Sequence, residues 1–123
     1  MPAWVGKSDE EVRTEIMKAA AEYNVPAGTR EGLARYLMYG VPTGDFLLAV
    51  LSNDLRDAVG RADMENQRGL VYIVNFLYNV APSAAWGSPD KVAAWRDKRG
   101  FFERFGPRIP GGNEFKDEGS ISG

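Results

Sequence analysis

The chain has 123 residues, 44% of them apolar and 26% charged, with a formal charge of −2; this is the size and balance of one globular domain that buries roughly two-thirds of its unfolded surface. It contains no Cys and no His, which excludes disulfides, thiolate nucleophiles, Cys/His zinc sites, Ser-His-Asp triads and an imidazole base near neutral pH. Catalysis would have to rest on carboxylates, Lys, Tyr, Ser or a carboxylate-held Mg²⁺, so the expectation is a binding protein with no catalytic residue, no metal and no cofactor.

Residues 1–7 have no basic segment followed by an apolar run, so no secretory signal is expected. No stretch reaches the roughly 18–20 apolar residues of a membrane span. The expectation is a cytoplasmic protein without a membrane partner. Charge is unevenly spread: residues 1–65 hold seven Lys/Arg and eleven Asp/Glu, and residues 91–108 hold six and two. An acidic front and a basic back would steer an anionic partner, or let one subunit meet another.

A first helix opens at Ser8, where Ser8-Asp9-Glu10-Glu11 is a capping-box pattern. Val12, Ile16, Ala19, Ala20 and Tyr23 follow at helical spacing, and the run from Asn24 to Gly28 stops it. A second helix starts near Thr29, presents Leu33, Tyr36 and Leu37, and ends at Gly40. A third follows Thr43 as N-cap, with Phe46, Leu47, Val50, Leu51, Leu55, Ala58 and Val59 as its buried stripe and Gly60 as terminator. Ser52-Asn53-Asp54 would bend or restart it.

Asp63 caps a fourth helix whose stripe is Leu70, Ile73, Val74, Leu77 and Ala81, widened by Val71, Phe76 and Val80. A helix apolar nearly all round belongs in the middle of a bundle or in an oligomer interface, so this one is placed centrally. Ser88-Pro89-Asp90 opens a fifth helix with a cap, a first-position proline and an early acid; Val92 and Trp95 face inward and Gly100 closes it. The fold expected is all-α, a compact bundle of about five helices over residues 1–106, with a disordered tail rich in Pro, Gly and Ser over residues 107–123. Homo-oligomerisation is expected from the surplus of apolar surface.

Several pieces between residues 35 and 95 form a recognisable pattern: Gly40-Val41-Pro42-Thr43-Gly44-Asp45-Phe46-Leu47, Ala49-Val50-Leu51-Ser52-Asn53-Asp54-Leu55, Arg61-Ala62-Asp63, Tyr78-Asn79-Val80-Ala81-Pro82 and Trp86-Gly87-Ser88-Pro89. The pattern spans about half the chain and resembles small accessory proteins of bacteriophage and prophage genomes, a group with no established activity. The resemblance implies an accessory protein acting in the host cytoplasm, and it transfers no catalytic residue. Countering host defence and building the virion are the two jobs it suggests.

Candidate ligand residues cluster at helix ends. Thr43-Gly44-Asp45 opens a helix, where free N–H groups attract anions, although Asp45 already occupies that field. Arg61, Asn66 and Arg68 straddle the connection between the third and fourth helices, a donor set suited to phosphate, and Arg35 is grouped with them. Asp54 and Asp57 share a helix face with Arg61, either as oxygen ligands for a divalent cation or as a solvated ion-pair face. Asn75 and Asn79, four apart in an apolar helix, are buried amides that need partners. Trp86 anchors an interface or plugs the core. Phe101, Phe102 and Phe105, set among basic residues, dock on the chain's own core or on a sister subunit. Acids interrupt that patch, so nucleic acid is not expected as a partner. The function expected is stoichiometric binding that counters host immunity, with an anionic nucleotide signal held by Arg35, Thr43, Gly44, Arg61, Asn66 and Arg68. An inhibitor of a host defence effector and a virion protein are the alternatives.

Overall fold

A computed structural model describes residues 4–101, all helix and connection: six α-helices, a single 3₁₀ turn and no strand among the described residues. The helices are α1 (Asp9–Glu22), α2 (Ala27–Tyr39), α3 (Asp45–Leu51), α4 (Leu55–Arg61), α5 (Met64–Val80) and α6 (Pro89–Asp97), with the 3₁₀ turn at Ser83–Ala85. No helix among them is long and apolar enough to cross a membrane. The expected tail over residues 107–123, and Phe102 and Phe105 with it, lie outside the described residues.

Local chemistry sets the boundaries. Ser8 Oγ accepts from the Glu11 N–H at 3.2 Å while Glu11 Oε1 accepts from the Ser8 N–H at 2.9 Å, closing the capping box of α1. Asp63 and Ser88 cap α5 and α6 by accepting from Asn66 and Lys91 N–H groups. At the other end of α1, Asn24 takes φ +62°, its N–H reaches the Ala21 carbonyl, and the Val25 N–H reaches the Ala20 carbonyl. Asn53 repeats this geometry after α3, with φ +64° and with the Asp54 N–H on the Ala49 carbonyl. Asparagine tolerates the left-handed conformation that such a helix stop requires.

That stop is the restart at Ser52-Asn53-Asp54 that the sequence offered as an alternative to a bend, and with it the described residues form six helices rather than about five. Asp54 caps the new start by accepting from the Asp57 N–H at 3.1 Å. Three further expectations change here. Gly44 and not Thr43 is the N-cap of α3, and it makes no side-chain bond. Gly60 lies within α4, which runs on to Arg61. Leu55 and Val59 are 65% and 45% exposed, because α4, restarted after Asn53, buries only Ala58.

The core is built by Val12, Ile16 and Ala20 of α1, Leu33, Ala34, Tyr36, Leu37 and Met38 of α2, Leu51, and Ile73, Phe76 and Leu77 of α5. Fully burying a side chain such as Ile16 or Leu33 contributes about 1.5–3 kcal/mol. The described ends meet: Trp4 packs edge-on against Phe101, ring centroids 5.4 Å apart at 82°. Buried polar groups tie α2 to the C-terminal half. Tyr36 Oη donates to the Ala85 carbonyl at 2.6 Å, and Trp95 Nε1 donates to the Tyr36 carbonyl at 3.0 Å.

Helix α5 is one-sided and not central. It packs through Gly69, Ile73, Phe76 and Leu77, with Gly69 so close to Pro26 that a Cβ would lie 2.5 Å from the proline ring. Its other side carries Val71 and Val74, expected in the core and found exposed. Asn75 and Asn79 also lie outside, and Asn79 Nδ2 donates to the Asn75 carbonyl at 2.9 Å. They are surface amides, and Asn79 spends its donor within its own helix.

Candidate functional site

Three regions bear on function: the Arg61 end of α4, a groove that holds Arg35, and an apolar surface on α4 and α5. Arg61 closes α4. Its Nε donates to both oxygens of Asp57, at 3.1 and 3.0 Å, and its Nη1 reaches Asp45 Oδ2 at 3.1 Å. The structure therefore brings Arg61 to the Thr43-Gly44-Asp45 segment, where its charge meets two carboxylates. Helix α3 is only seven residues long, and Asp45 sits in its first turn. Asp54, the other acid of this region, is the α4 cap. Among the described residues no group of three or more carboxylates is placed to hold a metal ion.

Asn66 has a structural task. Its Oδ1 accepts from the hydroxyl of Thr29, a buried polar residue, at 2.7 Å. This bond ties the first turn of α5 to that of α2, beside the Pro26–Gly69 contact. Arg68, two residues further along α5 on its exposed side, donates no side-chain hydrogen bond among the described residues.

Arg35 belongs to a groove of about 640 Å³ between α1 and α2, lined by Asp9, Glu10, Arg13, Glu31, Met38, Tyr39 and Val41 as well. Arg13 and Glu31 bridge the two helices with paired hydrogen bonds of 3.1 and 2.5 Å, and the Tyr39 hydroxyl donates to Asp9 at 2.7 Å. The bond from Arg13 holds the Glu31 carboxyl below its usual range and raises the guanidinium in return. Three acids against two arginines leave this groove slightly negative. None of Thr43, Gly44, Arg61, Asn66 or Arg68 lines it, so this groove does not gather the six.

The third region is an apolar surface. The described residues expose nine large apolar side chains, and seven of them fall between Leu55 and Tyr78. Leu55 and Val59 stand one turn apart on α4. Met64, Val71 and Tyr78 repeat every seven residues along α5, exposed by 63%, 71% and 78%, with Tyr72 and Val74 beside them. Two signals in the sequence point to this face: the heptad spacing, and the lack of any charged residue from Gly69 to Val80.

The interface residues read from the sequence separate similarly. Phe101 is fully buried against Trp4, so this part of the aromatic arm docks on its own chain. Trp86 is half-buried and packs against the core, and the following Gly87 N–H donates to the Leu51 carbonyl at 2.7 Å. Tyr36, which sequence reading placed only in the core, is also the donor that holds the 3₁₀ turn. Burial pushes its phenol well above the ordinary tyrosine range, so it serves as a neutral hydrogen-bond donor. No protein family, curated protein or solved structure matches this chain.

Proposed function

We propose that the chain is a phage-type accessory protein that counters host immunity by stoichiometric protein–protein binding, acting in the host cytoplasm as an inhibitor of a defence effector. The observation that carries this reading is the concentration of exposed Leu, Val, Met and Tyr between residues 55 and 78. Interface cores are depleted in charge and enriched in Tyr and Met relative to other surface, and large exposed apolar patches mark interaction sites. The phage-type pattern supplies the biological setting.

Sequestration of an anionic nucleotide signal is the second reading. It is favoured by the exposed guanidiniums of Arg35 and Arg68 and opposed by the engagement of Arg61 with Asp45 and Asp57 and of Asn66 with Thr29. One experiment separates the two. The tagged chain is expressed in a defended host during infection, and its co-purifying proteins and phage yield are recorded for wild type and Val59→Glu. The expected outcome is a host effector retained by wild type and lost with the variant, together with the gain in phage yield. A chain that retains no host protein, yet is raised in Tm by a cyclic or NAD-derived nucleotide, replaces this reading with the second.

A further inference from the structure

On α5, Met64, Val71 and Tyr78 occupy one line at heptad spacing, with Gln67 and Val74 as the companion positions three residues on. All five are exposed. An outward helix face normally carries charge. From Gly69 to Val80 this one carries none, although Val71, Tyr72, Val74, Asn75, Tyr78 and Asn79 all face solvent.

We infer that this face is covered by a second copy of the chain, the two α5 helices pairing antiparallel about a twofold axis. The inference rests on the reading of the protein as one that acts by protein contacts, and it names the occupant of one part of its apolar surface. Area is the first argument. At their observed exposures the apolar and amide side chains of this face offer on the order of 700 Å², close to the ~800 Å² that each partner contributes to a stable interface.

Symmetry and charge are the second. With the axis between Val71 and Val74, Val71 of one copy lies opposite Val74 of the other, and Gln67 lies opposite Tyr78. Each pairing occurs twice, as an isologous contact requires. Arg68 then approaches the C-terminal turn of the facing helix, whose carbonyls carry partial negative charge. A parallel pairing would set Glu65 against Glu65 and Arg68 against Arg68. The Leu55–Val59 surface of α4 is left for a different partner.

Sedimentation equilibrium of the full chain at about 100 μM, a concentration that populates even a micromolar dimer, tests this directly. The expected mass is twice the 13.5 kDa of one chain. Val71→Glu should return it to a single chain with circular dichroism and Tm unchanged, since Val71 is exposed. Val59→Glu should leave the dimer intact while losing the host partner, so the two readings fail separately. Because the chain has no Cys, Val71→Cys and Val74→Cys give an orientation test that is independent of stability: mixed together they should form an interchain disulfide in higher yield than either alone. A single-chain mass overturns the inference, whether the face is then met by residues 102–123 or by another protein. So does a dimer indifferent to Val71→Glu, or a disulfide formed best by Val71→Cys alone.

Discussion

Gly40 and Gly100 lie against each other at the point where the end of α2 meets the segment after α6. A Cβ on Gly40 would lie 2.9 Å from the Gly100 nitrogen, and one on Gly100 would lie 2.5 Å from the Tyr39 nitrogen. Both residues have positive φ, +70° and +80°. The obstacle in each case is backbone, which cannot swing aside as a flexible side chain would.

Gly100→Ala should therefore destabilise the fold by about 1–3 kcal/mol, from backbone strain and overpacking together. Gly28, in the first turn of α2 with open space around it, is the matched control. Gly28→Ala should leave stability unchanged or raise it by roughly 0.5–1 kcal/mol, as helix propensity favours alanine. Urea titration of both variants checks the sign as well as the size, and equal effects would show that the close approach does not constrain the fold.

Tyr36→Phe removes one oxygen from a buried position and leaves the Ala85 carbonyl without its donor. An unsatisfied buried acceptor costs about 1–3 kcal/mol. Thermal unfolding should show that loss, with the far-UV spectrum preserved. An unaltered Tm would mean that the carbonyl finds another donor.

Asn53 is exposed and has φ +64°, so substitutions there test the α3–α4 break without disturbing packing. Asn53→Val forces a β-branched residue into the left-handed region and should cost about 1–2 kcal/mol. Asn53→Gly should be neutral or mildly stabilising. If valine were tolerated as well as glycine, α3 and α4 would have to join into the single helix that the hydrophobic stripe first suggested.

Acid should weaken the fold in a defined window. Hydrogen bonds from the Ser8 backbone and hydroxyl hold Glu11 below the usual glutamate range, and the bond from Arg13 does the same for Glu31. A carboxyl lowered in the folded state contributes stability that is full above its unfolded pKa and is lost as pH falls through its folded pKa. Wild type should thus lose Tm from the ordinary glutamate range downward. The double variant Glu11→Ala, Glu31→Gln should start lower at neutral pH, fall less steeply, and approach wild type at the acid end. Parallel curves would remove these two groups as the cause.

Helix starts were legible because they are local: Ser8, Asp63 and Ser88 need only the N–H groups of the next turn. The all-helical class was equally legible from 3.6-residue periodicity. Exposure on α4 and α5 was harder to read. Leu55, Val59, Val71 and Val74 have the same apolar character as Ile73 and Leu77, and nothing in their type says which neighbours cover them. Their burial depends on the direction α4 takes after Asn53 and on how many sides of α5 meet another helix. The intramolecular partners of the candidate ligand residues were hidden for a related reason: Asp45, sixteen residues from Arg61, and Thr29, thirty-seven from Asn66, engage them across the fold.

Composition alone removed thiol and imidazole chemistry and any Cys/His zinc site, because a side chain that is absent cannot be supplied by folding. Caps and apolar spacing located the helices, because a turn of helix is held by contacts three and four residues away. Only the assembled tertiary structure decided that α5 turns an uncharged face outward, that Tyr36 holds the Ala85 carbonyl, and that two glycines sixty residues apart touch. Those relations join segments distant in sequence, and they arise from packing a whole set of faces against one another at once.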